Sequence, residues 1–217
     1  TWYYKVASSP IGINLYNAQE RAPWLAELVS RSLGALDGFA QVDSIEVSTD
    51  SRGELSFHVE SDTAENLRLL DSFLRSTLDV CQVDAWLSLK CIRINTDGSS
   101  EEFLIPNNGR LSVENNLSEH RSTKHGLVSV FFNFETNIYS PIARLDNRAL
   151  AALNAPRLRN FLCRLSAIPS LELDYIDDPV GQIEEARRYG IVDDYGYKMP
   201  DDPAAFEELL KRESATW

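Results

Sequence analysis

One alternation constrains this chain more than any other feature in it. From Val83 to Ile94 the residues Val83, Ala85, Leu87, Leu89 and Cys91 fall on one side of a period-2 pattern. Asp84, Ser88 and Lys90 fall on the other, with Trp86 and Ile92 among them. Only a β-strand keeps such a set on one face, and its apolar side must pack against a core.

The neighbouring segments supply sheet partners and cover. Ile11, Ile13 and Leu15 alternate with Gly12 and Asn14 as a first strand. Residues 22–36 place Leu25, Leu28, Val29, Ser32 and Leu36 on one helical stripe, with Pro23 in the first turn and Gly38 just past the end. Ile45 and Val47, then Asp50-Ser51-Arg52-Gly53, then Leu55, Phe57 and Val59 predict a hairpin. Asp62 and Glu65 open a second helix that buries Leu67, Leu70, Phe73, Leu74 and Leu78. The resulting order, β-α-β-β-α-β, predicts an α+β chain with a ferredoxin-like N-terminal half, in which two helices cover one sheet face and leave the other open.

Further strands and a helical C-terminal region extend that unit. Glu101 to Ile105 continues the strand pattern, whereas residues 107–125 are polar, with two Asn pairs and little periodicity. The expected organisation is an α+β unit over 1–106, a polar loop over 107–125, and a strand plus helices over 126–217, the whole also compatible with one continuous domain. In the second half, Val128 to Ile138 is a strong strand with Phe131 opposite Val130 and Phe132, and both its faces are expected to be covered. Asp146 opens a short helix over 148–153, and Asn154-Ala155-Pro156 restarts a second with Leu158, Phe161, Leu162, Leu165 and Ile168 on one stripe. Leu171, Leu173 and Tyr175 form a last strand, before helices near 180–189 and 203–212.

Charge is distributed unevenly. The chain carries 33 acidic and 21 basic residues, and from Glu172 to Glu213 there are thirteen acids against five bases. This balance disfavours a nucleic-acid partner and an anionic membrane surface, whose affinity comes from Lys and Arg. The longest apolar runs, such as Leu127 to Phe134 broken by Ser129 and Asn133, fall far below the roughly 20 residues of a membrane span. The opening Thr1-Trp2-Tyr3-Tyr4-Lys5 has neither the charge nor the apolar core of a secretory leader. Cys81, Cys91 and Cys163 show no C-x-x-C spacing, and the first two share a strand whose ten residues span roughly 33 Å. Unpaired thiols suit a reducing compartment, so the expected location is cytoplasmic.

Chemistry-bearing motifs are sparse. His120 and His125, with Glu119 nearby, lack the further spaced ligands of a zinc site. His58 lies in the row Glu54, Ser56, His58 and Glu60, opposite the core, with no nucleophile tied to it by sequence context. Asp174, Asp177 and Asp178 miss the register of a calcium loop, and glycine-rich phosphate loops are absent. No metal and no cofactor are expected.

Two features point to binding instead. Arg144, Arg148, Arg157, Arg159 and Arg164 make a basic stretch ahead of the acidic segment, and the two either pair within the fold or form a dipolar surface. The acidic segment holds Asp193, Asp194, Tyr195, Tyr197, Asp201 and Asp202, where tyrosines offer contact area and carboxylates steer a cationic partner. The function expected is a non-enzymatic, acidic protein-binding module, in outline an immunity-type inhibitor covering the basic cleft of a toxin or nucleic-acid-acting protein. Two other readings stand beside it: an enzyme or small-molecule-binding protein with its site on the open sheet face around His58, Trp86 and Lys90, and a scaffold subunit using Trp86, Ile92 and Phe131 as contact surface.

Overall fold

A computed structural model describes residues 1–51, 53–58, 63–117, 126–136, 138–139, 148–177 and 192–197. The strands are β1 (Trp2–Val6), β2 (Ala40–Thr49), β3 (Gly53–His58), β4 (Val80–Ile94), β5 (Ser100–Asn115), β6 (Val128–Phe134), β7 (Glu172–Ile176), β8 (Val192–Asp193) and β9 (Gly196–Tyr197). The helices are α1 (Ala18–Ala35), α2 (Thr63–Ser76) and α3 (Arg148–Ser166). Seven strands form one sheet in the order β3-β2-β4-β5-β6-β1-β7, and β8 and β9 make a separate hairpin. Every neighbouring pair in the sheet is antiparallel.

The α+β class is therefore present, but the ferredoxin-like arrangement expected for residues 1–106 is not seen, and the sheet is larger. The first strand is Trp2–Val6, and it lies between β6 and β7, away from β2 and β4. Residues 11–15 are turns instead of a strand, because Gly12 sits at φ 80 and Ile13 and Asn17 close tight turns onto Pro10 and Asn14. Leu15 is buried there and Ile11 is fully exposed. Arg21 of α1 pins this segment by donating to the Leu15 carbonyl at 2.8 Å.

The 107–125 stretch is also corrected in part. Residues 107–115 are the second half of β5, bonded to β4 on one side and β6 on the other. Residues 118–125, including Glu119, His120 and His125, lie outside the described residues. The alternation is broken at Pro106 to Asn108 because these residues of β5 bulge where its pairing with β4 shifts between Leu87 and Leu89. A Cβ at Gly109 would stand 2.9 Å from Leu89 Cδ2, so a larger residue there requires the Leu89 side chain to move.

One face of the sheet is uniformly apolar. Ile45, Ala85, Leu111, Phe132 and Trp2 form one cross-strand line, and Val47, Val83, Val113, Val130 and Tyr4 form the next. These side chains share one core with Leu25 and Val29 of α1, Leu70 and Leu74 of α2, and Leu158, Phe161 and Leu165 of α3. The stripe on α2 is shorter than expected, since the helix ends at Ser76 and Leu78 is exposed.

The third helix runs without a break through Pro156, where two helices were expected. Asn154 explains the continuity. Its side chain donates to the Ile92 carbonyl at 2.8 Å and accepts from the Ile92 amide at 2.7 Å. Beyond Leu89, β4 outruns β2, and this fully buried amide fills the place of a neighbouring strand. Ala151, Asn154, Ala155, Leu158, Phe161 and Leu162 then stay on one buried face through the proline.

Tyr4 sets a limit on stability at high pH. Its ring is buried, and burial pushes the phenol up to about 12, with the Ser166 hydroxyl donating to it at 3.3 Å and pulling weakly the other way. Because the folded value exceeds the unfolded one near 10, the unfolded chain loses its proton first. Stability should hold below about pH 10 and fall as pH rises toward about 12, by on the order of 2 kcal/mol from this group. Urea midpoints measured across that interval check it, and Tyr4→Phe should flatten the decline. Tyr139, also raised by burial, contributes in the same direction.

Candidate functional site

The other face of the sheet carries polar and aromatic side chains in register. One line runs Glu46, Asp84, Ser112, Phe131, Tyr3 and Tyr175 across β2, β4, β5, β6, β1 and β7. A second runs Ser44, Trp86, Arg110 and Asn133, and a third Ser48, Gln82, Glu114, Ser129, Lys5 and Glu172. Period-2 alternation produces this division in β2, β4, β5, β6 and β1, and in β7 a register shift beside Asp174 brings Glu172 and Tyr175 to the same face.

Asp84 is the anchor of this face. It is only 7% exposed. Arg110 binds it with two parallel bonds, Nε to Oδ1 at 3.1 Å and Nη2 to Oδ2 at 2.7 Å. Ser112 Oγ donates to Oδ1, and Gln82 Nε2 to Oδ2 at 2.9 Å. With its lone pairs taken, the carboxylate holds the guanidinium at a fixed angle. That angle sets Arg110 over two rings, 5.2 Å from the Trp86 centroid and 5.7 Å from that of Phe131.

The aromatic row continues beyond Phe131. Tyr3 lies 5.6 Å from Phe131 and stacks on Tyr175 at 4.3 Å with 13° between planes. At the opposite end, Trp86 Nε1 donates to Glu46 at 3.0 Å, which fixes the indole. Lys5 pairs with Asp174 at 2.6 Å beside the tyrosines. Tyr175 is 41% exposed, and Trp86, Phe131 and Tyr3 are half-buried.

Compared with known proteins, the chain matches no family model, no curated protein and no solved structure.

The expected partner-binding residues that are described, Asp193, Asp194, Tyr195 and Tyr197, belong to the β8–β9 hairpin and not to this face. Asp193 accepts from Arg159 of α3 through two bonds, 2.7 and 2.8 Å, and from the Tyr195 amide at 2.9 Å. Arg159 also lies 5.6 Å from the Tyr195 ring. The hairpin rests on α3, with Gly196 against Leu158 and Leu162. Asp194 is exposed, Tyr197 pairs through its backbone with Val192, and Asp201 and Asp202 lie outside the described residues. Of the other arginines in that stretch, Arg157 pairs with Glu102 at 2.7 Å and Arg164 donates to the Asp37 carbonyl. Arg144 lies outside the described residues.

The residues expected around an enzymatic site are dispersed. The His58 backbone pairs with Ser44 in the register next to Trp86. Lys90 instead lines a cavity of about 620 Å³ between α1 and α2, with Leu33, Leu67, Leu70 and Leu74. Ile92 stands six positions past Trp86 on β4, roughly 20 Å away. It therefore does not join Phe131 in one patch. Among the described residues, no cluster of three His, Cys, Asp or Glu side chains could hold a metal ion, and no helix is long and apolar enough to cross a membrane.

Arg110, Tyr3 and Tyr175 are the members of the face that the sequence reading passes over. For two of them signals exist: Arg110, Ser112 and Glu114 alternate with Leu111 and Val113, and Tyr3 and Lys5 alternate with Trp2, Tyr4 and Val6, whereas Tyr175 shares its phase with Leu171 and Leu173 and reaches this face only through the register shift between β1 and β7.

Proposed function

We propose that this chain is a non-enzymatic protein-binding module that engages a basic protein through the open face of its sheet. The observation that carries the reading is the fixed aromatic row Trp86, Arg110, Phe131, Tyr3 and Tyr175, with Arg110 locked by Asp84. Trp, Tyr and Arg dominate the energetics of protein interfaces, and side chains already held in place lose little freedom on binding. An inhibitor that covers the basic cleft of a toxin or nucleic-acid-acting protein fits this surface and the net charge of −12. The acidic segment then steers the partner, its Asp193 being engaged with Arg159. The unbridged thiols Cys81, Cys91 and Cys163 suit a reducing compartment such as the cytoplasm.

Affinity capture on the immobilised chain, with the retained protein identified, tests the proposal. Trp86→Ala and Tyr175→Ala are each expected to lower capture of that protein roughly tenfold, while Asp194→Asn chiefly slows association at low salt. The reverse ranking moves the contact to the hairpin. Absence of any retained protein at low salt overturns the reading.

A further inference from the structure

Between α1 and α2 the molecule keeps a space that its own side chains leave unfilled. The cavity of about 620 Å³ reaches from the C-terminal half of α1 to the start of β2 and to β4 at Lys90, a size that suits a small organic ligand. Val29, Leu33, Val42, Leu67, Leu70 and Leu74 make its walls apolar, and the exposed residues Ser30, Gly34 and Asp37 mark its mouth. Gly34 keeps the space open. It stands inside α1, where glycine is the least favoured residue after proline. Its φ is not left-handed, and a Cβ there would meet nothing within 4 Å beyond its own turn of helix. Neither backbone geometry nor close packing calls for glycine at this position, so what the missing side chain provides is volume at the cavity wall.

One charge in the lining has no mate. Lys90 is half-buried, and among the described residues no carboxylate pairs with its ammonium. Such a group gives up part of its hydration with no ion pair in return. The acids of the lining do not supply one, since Asp71 is engaged by Arg75 at 2.8 Å and Asp37 is exposed to water. Two further cations stand at the same end of the cavity. Arg157, itself paired with Glu102, donates to the Gly38 carbonyl at 3.4 Å, and Arg164 donates to that of Asp37. The Lys90 amide joins them by bonding the Phe39 carbonyl at 2.9 Å. Cations therefore outnumber the carboxylates Asp37 and Glu102 where an otherwise apolar space meets β2 and β4.

We propose that this cavity is a binding site for a small amphipathic acid, an unbranched apolar chain that ends in one carboxylate. The chain lies between the leucines of α1 and α2, and the carboxylate is met by Lys90. Leu33 and Leu67 are only partly buried in the free protein, so a ligand that covers them removes further apolar surface from water. A neutral ligand of the same shape gains that term alone, and a cationic one sets its charge against Lys90. The site lies between the helices, apart from the aromatic row, and it is independent of the protein contact proposed there.

Calorimetric titration of the full chain with decanoate, octanoate, octanol and octylammonium, all below micelle-forming concentrations, tests the proposal. Decanoate should saturate a single site, and octanoate, shorter by two methylenes, should bind roughly tenfold more weakly. Octanol and octylammonium should each bind more weakly than octanoate. Gly34→Leu fills the space from the α1 side and should weaken decanoate at least tenfold, with the fold checked by circular dichroism, while Gly34→Ala should have a smaller effect. Lys90→Met keeps the apolar stem and should lower octanoate affinity roughly fivefold, to the level of octanol. Absence of saturable decanoate binding overturns the proposal, as do decanoate binding unchanged by Gly34→Leu and a preference for octylammonium. If Gly34→Leu does not fold, Lys90→Met decides: loss of the preference for octanoate over octanol supports the site, and its persistence overturns it. Capture of a protein through Trp86 and Tyr175 is a separate readout, so failure here leaves the binding-module reading standing.

Discussion

Asp84→Ala is expected to lower the free energy of unfolding by about 3 kcal/mol, the low end for breaking a buried ion pair, because Arg110 retains some water access with 29% of its side chain exposed. The loss comes from what remains. Without the carboxylate, the guanidinium keeps its place between Trp86 and Phe131 with its charge unmatched, and Ser112 and Gln82 lose an acceptor. Arg110→Met leaves the complementary orphan, a nearly buried carboxylate, and should cost a comparable amount. The double variant should recover part of either loss, since no lone charge is left in the face. Urea unfolding of the three variants measures the coupling. A change below about 0.5 kcal/mol for Asp84→Ala would mean that the pair behaves as a surface salt bridge and does not organise the face.

Phe161→Ala should be the most damaging single truncation in the core, at about 4 kcal/mol. Its ring is fully buried, lies parallel to Phe39 at 4.8 Å and meets Phe132 edge-on at the same distance. Those contacts join α3, the residue just before β2, and β6 at one point. Removing the ring leaves a cavity bounded by a helix and a sheet that cannot both collapse into it. Phe161→Leu retains most of the volume and should cost about 1 to 2 kcal/mol. Thermal and urea unfolding of the two variants provide the comparison, and equal losses in both would show that the aromatic stack, and not the filled volume, is what matters.

How much of this was legible in the residues depended on whether a pattern was uninterrupted. The alternation over Val83 to Ile94 placed β4, with Val83, Ala85, Leu87, Leu89 and Cys91 in the core and Asp84 and Trp86 on the other face, whereas Lys90 lines the cavity between α1 and α2. The hairpin of β2 and β3 followed from Asp50-Ser51-Arg52-Gly53, and Gly53 does adopt positive φ. Where tertiary contacts outweigh local signals, the reading failed. Pro106 to Gly109 looks like a loop until its place beside Leu87 and Leu89 of β4 is seen. Pro156 looks like a helix boundary until Asn154 is seen holding the strand edge. Ile11 to Leu15 imitates a strand but has no edge to join, whereas Trp2 to Val6 finds one between β6 and β7. The open face was legible strand by strand, in Trp86 and Phe131. Which strands lie side by side is a matter of topology, and so the meeting of Arg110 with both rings was not.

The position of β1 has a consequence for how the chain is made. Its residues are synthesised well before their pairing partners, Val128 to Phe132 and Glu172 to Ile176, so the strand must wait for those later segments before it can dock. Until then Trp2, Tyr3 and Tyr4 stay solvated or bound by a chaperone, and the final zipping of the nascent sheet is a late, long-range step that slows maturation.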